Sequence, residues 1–203
     1  MEQTNQKAQN RIIKCILLAG VAIVLMIVLE NWHLRRFVFD SFGMVGGAVR
    51  WGLLLLPIII LAHLYGPIPA AVSGAIVYVL ISLFPALTLP DGRTWIMTFQ
   101  PGPVLSFFIY GIILGILLRR RTVSVAMAAL AALMVSVVGS FVAPLLSDVW
   151  KRIYFEEDGR RELWAPTSET FVAAILTVVT LFILIWLVTA EKSPISRVLR
   201  RLG

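Results

Sequence analysis

The chain has 203 residues, of which 59% are hydrophobic, and a mean hydropathy of +0.91, which is too apolar for a soluble domain of this size. Its net charge of +7 comes from 18 Lys and Arg against 11 Asp and Glu. A basic face beside anionic lipid explains that charge, so we expect a lipid bilayer and no nucleic acid as partner. The composition predicts a polytopic membrane protein.

Motifs that would supply enzymatic chemistry do not occur in the sequence. It has no P-loop, HExxH or GxSxG pattern, and its one cysteine, Cys15, cannot form an intrachain disulfide. The two histidines, His33 and His63, are too few and too far apart for a metal site. No acidic residue lies in the interior of the predicted spans, where ion-coupled transporters usually have one. We therefore expect no enzyme, no cofactor, no metal and no transporter that is energised on its own.

The first half of the chain predicts three helices and one irregular segment. The run 11–29 ends in Glu30-Asn31-Trp32 rather than in small residues, so it predicts an uncleaved span. Residues 31–49 mix aromatic, charged and glycine residues, which favours a re-entrant or interfacial segment. The stretch Trp51–Pro90 lacks charged residues and is long enough for two crossings. The turn at Tyr65-Gly66-Pro67 divides it into two helices.

The stretch Phe99–Arg121 predicts the fourth span most clearly. A Pro-Gly-Pro breaker at 101–103 precedes an uncharged run that closes on three arginines, Arg119 to Arg121. Gly111 and Gly115 form a small-xxx-small pair, which indicates a close helix–helix seam. A marked basic end of this kind is typical of the cytoplasmic side of a membrane.

The second half of the chain predicts two more spans separated by a charged, amphipathic connection, 148–169. Gly139 and Ser140 indicate a close-packing face on the fifth span. The predicted fold is all-α, a single integral membrane domain formed by a compact bundle of six transmembrane helices. Their approximate bounds are 11–29, 50–65, 67–89, 102–119, 122–147 and 169–190.

The distribution of basic residues predicts the orientation. One side carries ten Lys and Arg against two acids, and the other carries eight bases against nine acids. Both termini are therefore expected in the cytoplasm, with the chain as a multi-pass protein of the cell membrane. The basic residues of the predicted cytoplasmic side are Lys7, Arg11, Lys14, Arg119, Arg120, Arg121, Lys192, Arg197, Arg200 and Arg201.

Several features in order give the chain a family resemblance. An Arg-led apolar helix with a central proline (50–65) is followed by a Gly-Pro hairpin, a small-residue helix, a loop ending in Phe-x-Pro-Gly and a Gly-xxx-Gly helix. Over roughly residues 11–121 this order resembles the substrate-binding S components of energy-coupling factor (ECF) vitamin transporters, especially the folate type. The resemblance implies capture of a vitamin-like solute at the outer face. It also implies docking on a transmembrane coupling subunit with two cytoplasmic ATPases.

The same resemblance suggests a partner interface on the first span. In S components an Ala-xxx-Ala face meets the coupling subunit, and the corresponding small residues here are Cys15, Ala19 and Ala22. Intramolecular packing is the alternative use of such a face.

Aromatic and polar residues near the predicted outer side are candidates for the solute site. Aromatic faces can hold a flat heterocycle while an arginine pairs with a carboxylate, and Arg50 is the favoured anion partner because it begins an apolar helix. Tryptophan and arginine at a membrane surface are alternatively lipid anchors. The candidates are Trp32, Arg36, Arg50, Trp95, Phe99, Gln100 and Trp164, with Tyr78 and Tyr110 contributing from below.

A second hypothesis comes from another class of protein, a six-span scaffold of the bacterial rod-shape machinery. It would share the size, the orientation and the basic ends, but it would bind no small molecule. A solute-binding protein needs a pocket with convergent aromatic residues and a few polar groups, whereas a scaffold needs a flat protein-binding face.

Overall fold

In a computed structural model of the chain, the described residues are 40–88, 101–119, 123–154, 165–190 and 193, with isolated helical positions between 13 and 28. Nearly all of them are helical and none is in a strand, which confirms the all-α class for this part of the chain. A 3-10 turn, Asp40–Phe42, comes first. The helices are α1 (Gly43–Tyr65), α2 (Pro67–Thr88), α3 (Pro101–Leu118), α4 (Val125–Val137), α5 (Ala143–Tyr154) and α6 (Ser168–Thr189).

Three helices in the described ranges are long and apolar enough to cross a membrane. They are α1, the stretch Val125–Trp150 and α6. Shorter apolar stretches, Pro67–Ile76 and Val104–Leu118, lie in α2 and α3. The chain is thus a membrane protein, and the count of six spans stays a prediction.

The helix α1 begins earlier than the sequence predicts, at Gly43 rather than near residue 50. Gly43 has a φ of 56°, a left-handed conformation that glycine adopts at little cost, and the chain turns there into the helix. Residues 43–49, predicted as part of an irregular segment, therefore form the first turns of α1. Residues 31–39 of that predicted segment lie outside the described residues.

The predicted turn between the second and third spans is confirmed. Gly66 has a φ of 90°, and its N–H donates to the carbonyl of Ala62 at 3.1 Å, so it ends α1. Pro67 follows as the first residue of α2, where its missing N–H leaves no helical hydrogen bond unmade. A two-helix hairpin with almost no loop results.

The seam predicted from Gly111 and Gly115 is formed between α3 and α2. A Cβ atom built on Gly111 would overlap the backbone of Ala70 and Ala71, and one built on Gly115 would overlap Pro67. From the opposite side, a Cβ on Gly74 would come within 2.8 Å of the carbonyl oxygen of Phe107. The two helix backbones are therefore in direct contact along their length.

At the predicted cytoplasmic end, α3 is joined to the α1–α2 hairpin by side chains. His63 donates from Nδ1 to the carbonyl of Leu118 at 2.8 Å, which satisfies one of the free carbonyls at the end of α3. The aliphatic part of Arg119 lies over Gly66, since a Cβ there would come within 3.1 Å of Arg119 Cδ.

The core lies where α1 and α4 each pack against α3 and α6. The most deeply buried side chains of α1 are apolar, for example Ile59 and Leu61, which are fully inaccessible. Small residues on α4 let the helices approach closely. The residues that the other helices contribute to this core include Leu114, Leu118, Ala128, Ala131, Ala132, Val135, Leu181, Ile185 and Val188.

The predicted fifth span is one long, interrupted helix. The π-helical segment Val138–Val142 (the π turn) joins α4 to α5, and α5 continues to Tyr154, beyond the predicted end at residue 147. Arg152 pairs with Asp148 one turn earlier, at 3.5 Å. The first part of the predicted charged connection is therefore a helical extension of the span.

Candidate functional site

A cavity of about 410 Å³ lies between α1, α3, α6 and the π turn. It sits at the end of the bundle where α1, α3 and α6 begin, which the basic-residue distribution predicts as the outer end. Its volume falls within the range typical of small-molecule sites, about 300–1,000 Å³. The lining residues are Met44, Gly47, Ala48, Trp51, Leu55, Tyr110, Val135, Ser136, Gly139, Ser140, Pro144, Ala173 and Thr177.

One wall of the cavity is aromatic. The buried ring of Phe107 lies 5.7 Å from the ring of Trp51 and 5.4 Å from that of Tyr110, measured between centroids. Tyr78 packs on the same phenyl ring at 5.2 Å. The two cavity-lining rings, Trp51 and Tyr110, therefore each pack on Phe107 in a tilted arrangement, which is a favourable geometry for aromatic pairs.

The polar groups that line the cavity include the hydroxyls of Tyr110, Ser136, Ser140 and Thr177. Ser136 on α4 donates to the carbonyl of Ala174 at 2.8 Å, which links α4 to α6. Thr177 donates to the carbonyl of Ala173 at 2.8 Å within α6. On α3, Tyr110 lines the cavity, and Ser106, one turn before it, donates to the carbonyl of Gly102 at 2.8 Å.

The π turn shapes the side of the cavity opposite α1. A Cβ atom on Gly139 would come within 2.7 Å of the Tyr110 hydroxyl oxygen, so the glycine makes room for the phenol. The N–H of Ala143 bonds to the carbonyl of Val138, five residues back, which is the hydrogen bond that defines a π turn. Such insertions are frequent at functional sites because they redirect the side chains on either side.

The structure brings one predicted solute-site residue, Tyr110, into the cavity. Tyr78 packs on Phe107, which in turn packs on Tyr110, but Tyr78 does not line the cavity. Arg50 is a partly buried residue of α1 that does not line the cavity either. The other candidates lie outside the described residues, and so do the predicted partner-interface positions. These are Trp32, Arg36, Trp95, Phe99, Gln100 and Trp164, together with Cys15, Ala19 and Ala22.

The sequence did not single out the α1 wall of the cavity, although its spacing contains a signal. Met44, Ala48, Trp51 and Leu55 recur at intervals of three or four residues, so they share one face of α1. The hydroxyls of Ser136, which is buried, and Thr177, which is half-buried, were also missed. A search for hydroxyl residues on the faces of uncharged spans could have found them.

The cavity is chemically suited to reversible binding. All thirteen lining residues are uncharged. Within the described part of the chain, no group of three His, Cys, Asp or Glu could hold a metal ion. An aromatic wall with a few hydroxyls is the usual composition of a site that binds a small organic molecule.

Comparisons with protein-family models, with curated proteins and with solved structures give no match. The function must therefore be inferred from the cavity and from the sequence.

Proposed function

We propose that the protein is a membrane-embedded substrate-binding subunit of an ECF-type importer. It would capture a vitamin-like small molecule at the outer face and deliver it with a transmembrane coupling subunit and two ATPases. The observation that carries this proposal is the cavity of about 410 Å³, which has an aromatic wall and lies at one end of an apolar helix bundle. Its size and its mainly apolar, aromatic lining with a few hydroxyls match the usual composition of a small-molecule site.

The resemblance to S components supports the part of the proposal that concerns partners. The hairpin at Gly66-Pro67 and the glycine pair on α3, two features of that resemblance, form the tightest helix contact in the described structure. The sequence contains no P-loop, so ATP hydrolysis has to come from other subunits.

The cavity also favours this proposal over the scaffold hypothesis. A scaffold of the rod-shape machinery needs an exposed protein-binding face, and nothing in that role calls for a void lined by Trp51, Tyr110 and hydroxyls. Solute binding uses these features directly.

The first prediction concerns the bound solute. When the protein is purified in mild detergent from cells grown in rich medium, mass spectrometry of the denatured sample is expected to detect one small organic compound at near-stoichiometric occupancy. An unrelated six-span protein purified in the same way is the control. Recovery of phospholipid alone from every growth medium would contradict solute binding and favour the scaffold.

A second prediction concerns orientation, since the proposal requires the cavity to open outward. In a Cys15→Ser background, Ala165→Cys near the start of α6 is expected to react with a membrane-impermeant maleimide in intact cells. Ser124→Cys, at the start of α4, is expected to react only after permeabilisation. Both positions are exposed and lie at opposite ends of the bundle. The reverse labelling pattern would place the cavity on the cytoplasmic side.

A further inference from the structure

The cavity offers no charged group to a bound molecule among the described residues. Its thirteen lining residues are neutral, and Arg50, the predicted anion partner, is not among them. An ionised carboxylate placed there would lose its hydration without gaining an opposite charge, which is strongly unfavourable in an apolar bundle.

Two of the hydroxyls that line the cavity already use their protons. A hydroxyl has one proton to donate and two lone pairs to accept with. Ser136 donates to the carbonyl of Ala174, and Thr177 donates to the carbonyl of Ala173. Toward a bound molecule, Ser136 and Thr177 therefore present acceptors.

We infer that the cavity selects an uncharged, ring-containing solute whose N–H or O–H groups donate to Ser136 and Thr177. The inference rests on the proposed function and names its substrate class. The rings of Trp51 and Tyr110 provide the flat contact surface for the solute ring. A carboxylate has only acceptor atoms, so at Ser136 and Thr177 it meets lone pairs and is discriminated against.

Matched acid and neutral compounds test the charge preference. The probes are nicotinamide with nicotinate, biotinamide with biotin, and pyridoxine with 4-pyridoxate, titrated into protein that has been depleted of bound solute. In any pair that binds, the neutral member is expected to bind tighter by about tenfold or more, because the acid leaves a buried charge unpaired. Equal or tighter binding of the acid would overturn the inference.

Two threonines on α6 provide a matched pair of variants for the acceptor role. Thr177 and Thr180 each donate to the carbonyl four residues earlier, at 2.8 and 2.9 Å, but only Thr177 lines the cavity. Thr177→Val keeps the side-chain shape and removes the acceptor, so the neutral probe is expected to bind about fivefold more weakly. Thr180→Val is expected to bind it as the unmodified protein does. Unchanged binding in Thr177→Val would contradict the acceptor assignment.

If none of the probe pairs binds, the inference is tested by the chemical class of the compound that is co-extracted with the protein. A neutral compound with N–H or O–H donors supports the inference, and its affinity is then the readout for the two threonine variants. A carboxylate or phosphate compound overturns the inference while the proposed function stands. Recovery of phospholipid alone overturns both.

Discussion

Gly115→Ala is expected to destabilise the folded protein by about 3 kcal/mol or more, at the upper end of the usual cost of overpacking. The added Cβ would overlap Cα and N of Pro67, and it would come within 2.8 Å of the carbonyl carbon of Gly66. These are backbone atoms at a turn whose conformation is fixed by Gly66 and Pro67, so they cannot rotate away as a flexible side chain would. The effect is measured as the thermal midpoint in detergent, followed by tryptophan fluorescence.

The control for this substitution is Gly47→Ala on α1. A Cβ on Gly47 would meet no atom within 4 Å, and alanine is favoured over glycine in a helix by up to about 1 kcal/mol. The same Gly→Ala change is thus expected to lower the thermal midpoint at Gly115 and to raise it at Gly47. Gly111→Ala is expected to behave like Gly115→Ala because it would overlap Ala70 and Ala71. A wild-type midpoint in both seam variants would show that α2 and α3 are not in backbone contact.

This seam shows what the sequence could predict. Gly111 and Gly115 are spaced to share a helix face, and glycine on such a face has few uses other than close packing. The helix that packs on this face could also have been predicted, because α2 follows the turn at Gly66-Pro67 and begins with small residues. The residue types at these positions are therefore enough to predict both the hairpin and the contact between α2 and α3.

The helix ends were predicted less well, because charge was taken to mark the membrane boundary. Arg50 lies about two turns inside α1, and Asp148 and Arg152 pair with each other within α5. Charged side chains can extend from a helix into the headgroup region, so a helix can continue where its apolar run stops. The helical hydrogen bonds, rather than hydropathy, determine where each of these helices ends.

The cavity walls were the hardest feature to predict, because in a membrane both the core and the lipid-facing surface are apolar. On α6, Ile183 is 50% exposed and Ile185 is fully buried, yet the two residues are chemically identical. Hydrophobic periodicity therefore carries little information about which face points inward. Tyr110 was a candidate because a polar tip in an apolar run is visible in the sequence, whereas Ala48 shows only in its spacing with Met44, Trp51 and Leu55.

Ala48→Phe is expected to abolish solute binding. Ala48 lines the cavity and is 5% exposed, so a phenyl group at this position projects into the space of about 410 Å³ that the solute would occupy. The affinity is expected to fall by roughly 100-fold or more, since the ring displaces the solute from the Trp51 and Tyr110 wall. The readout is the amount of co-extracted solute per protein, together with the thermal midpoint to show that the variant is folded.

Val49→Phe is the matched control for that experiment. It introduces the same ring one position further along α1, about 100° around the helix, at a residue that is 37% exposed and does not line the cavity. This variant is expected to retain the solute at full occupancy. Loss of solute in both variants would assign the effect to a general disturbance of α1. Full occupancy in Ala48→Phe, with a normal thermal midpoint, would mean that the solute binds elsewhere, because a phenyl group and a ring-containing solute cannot share one wall of this cavity.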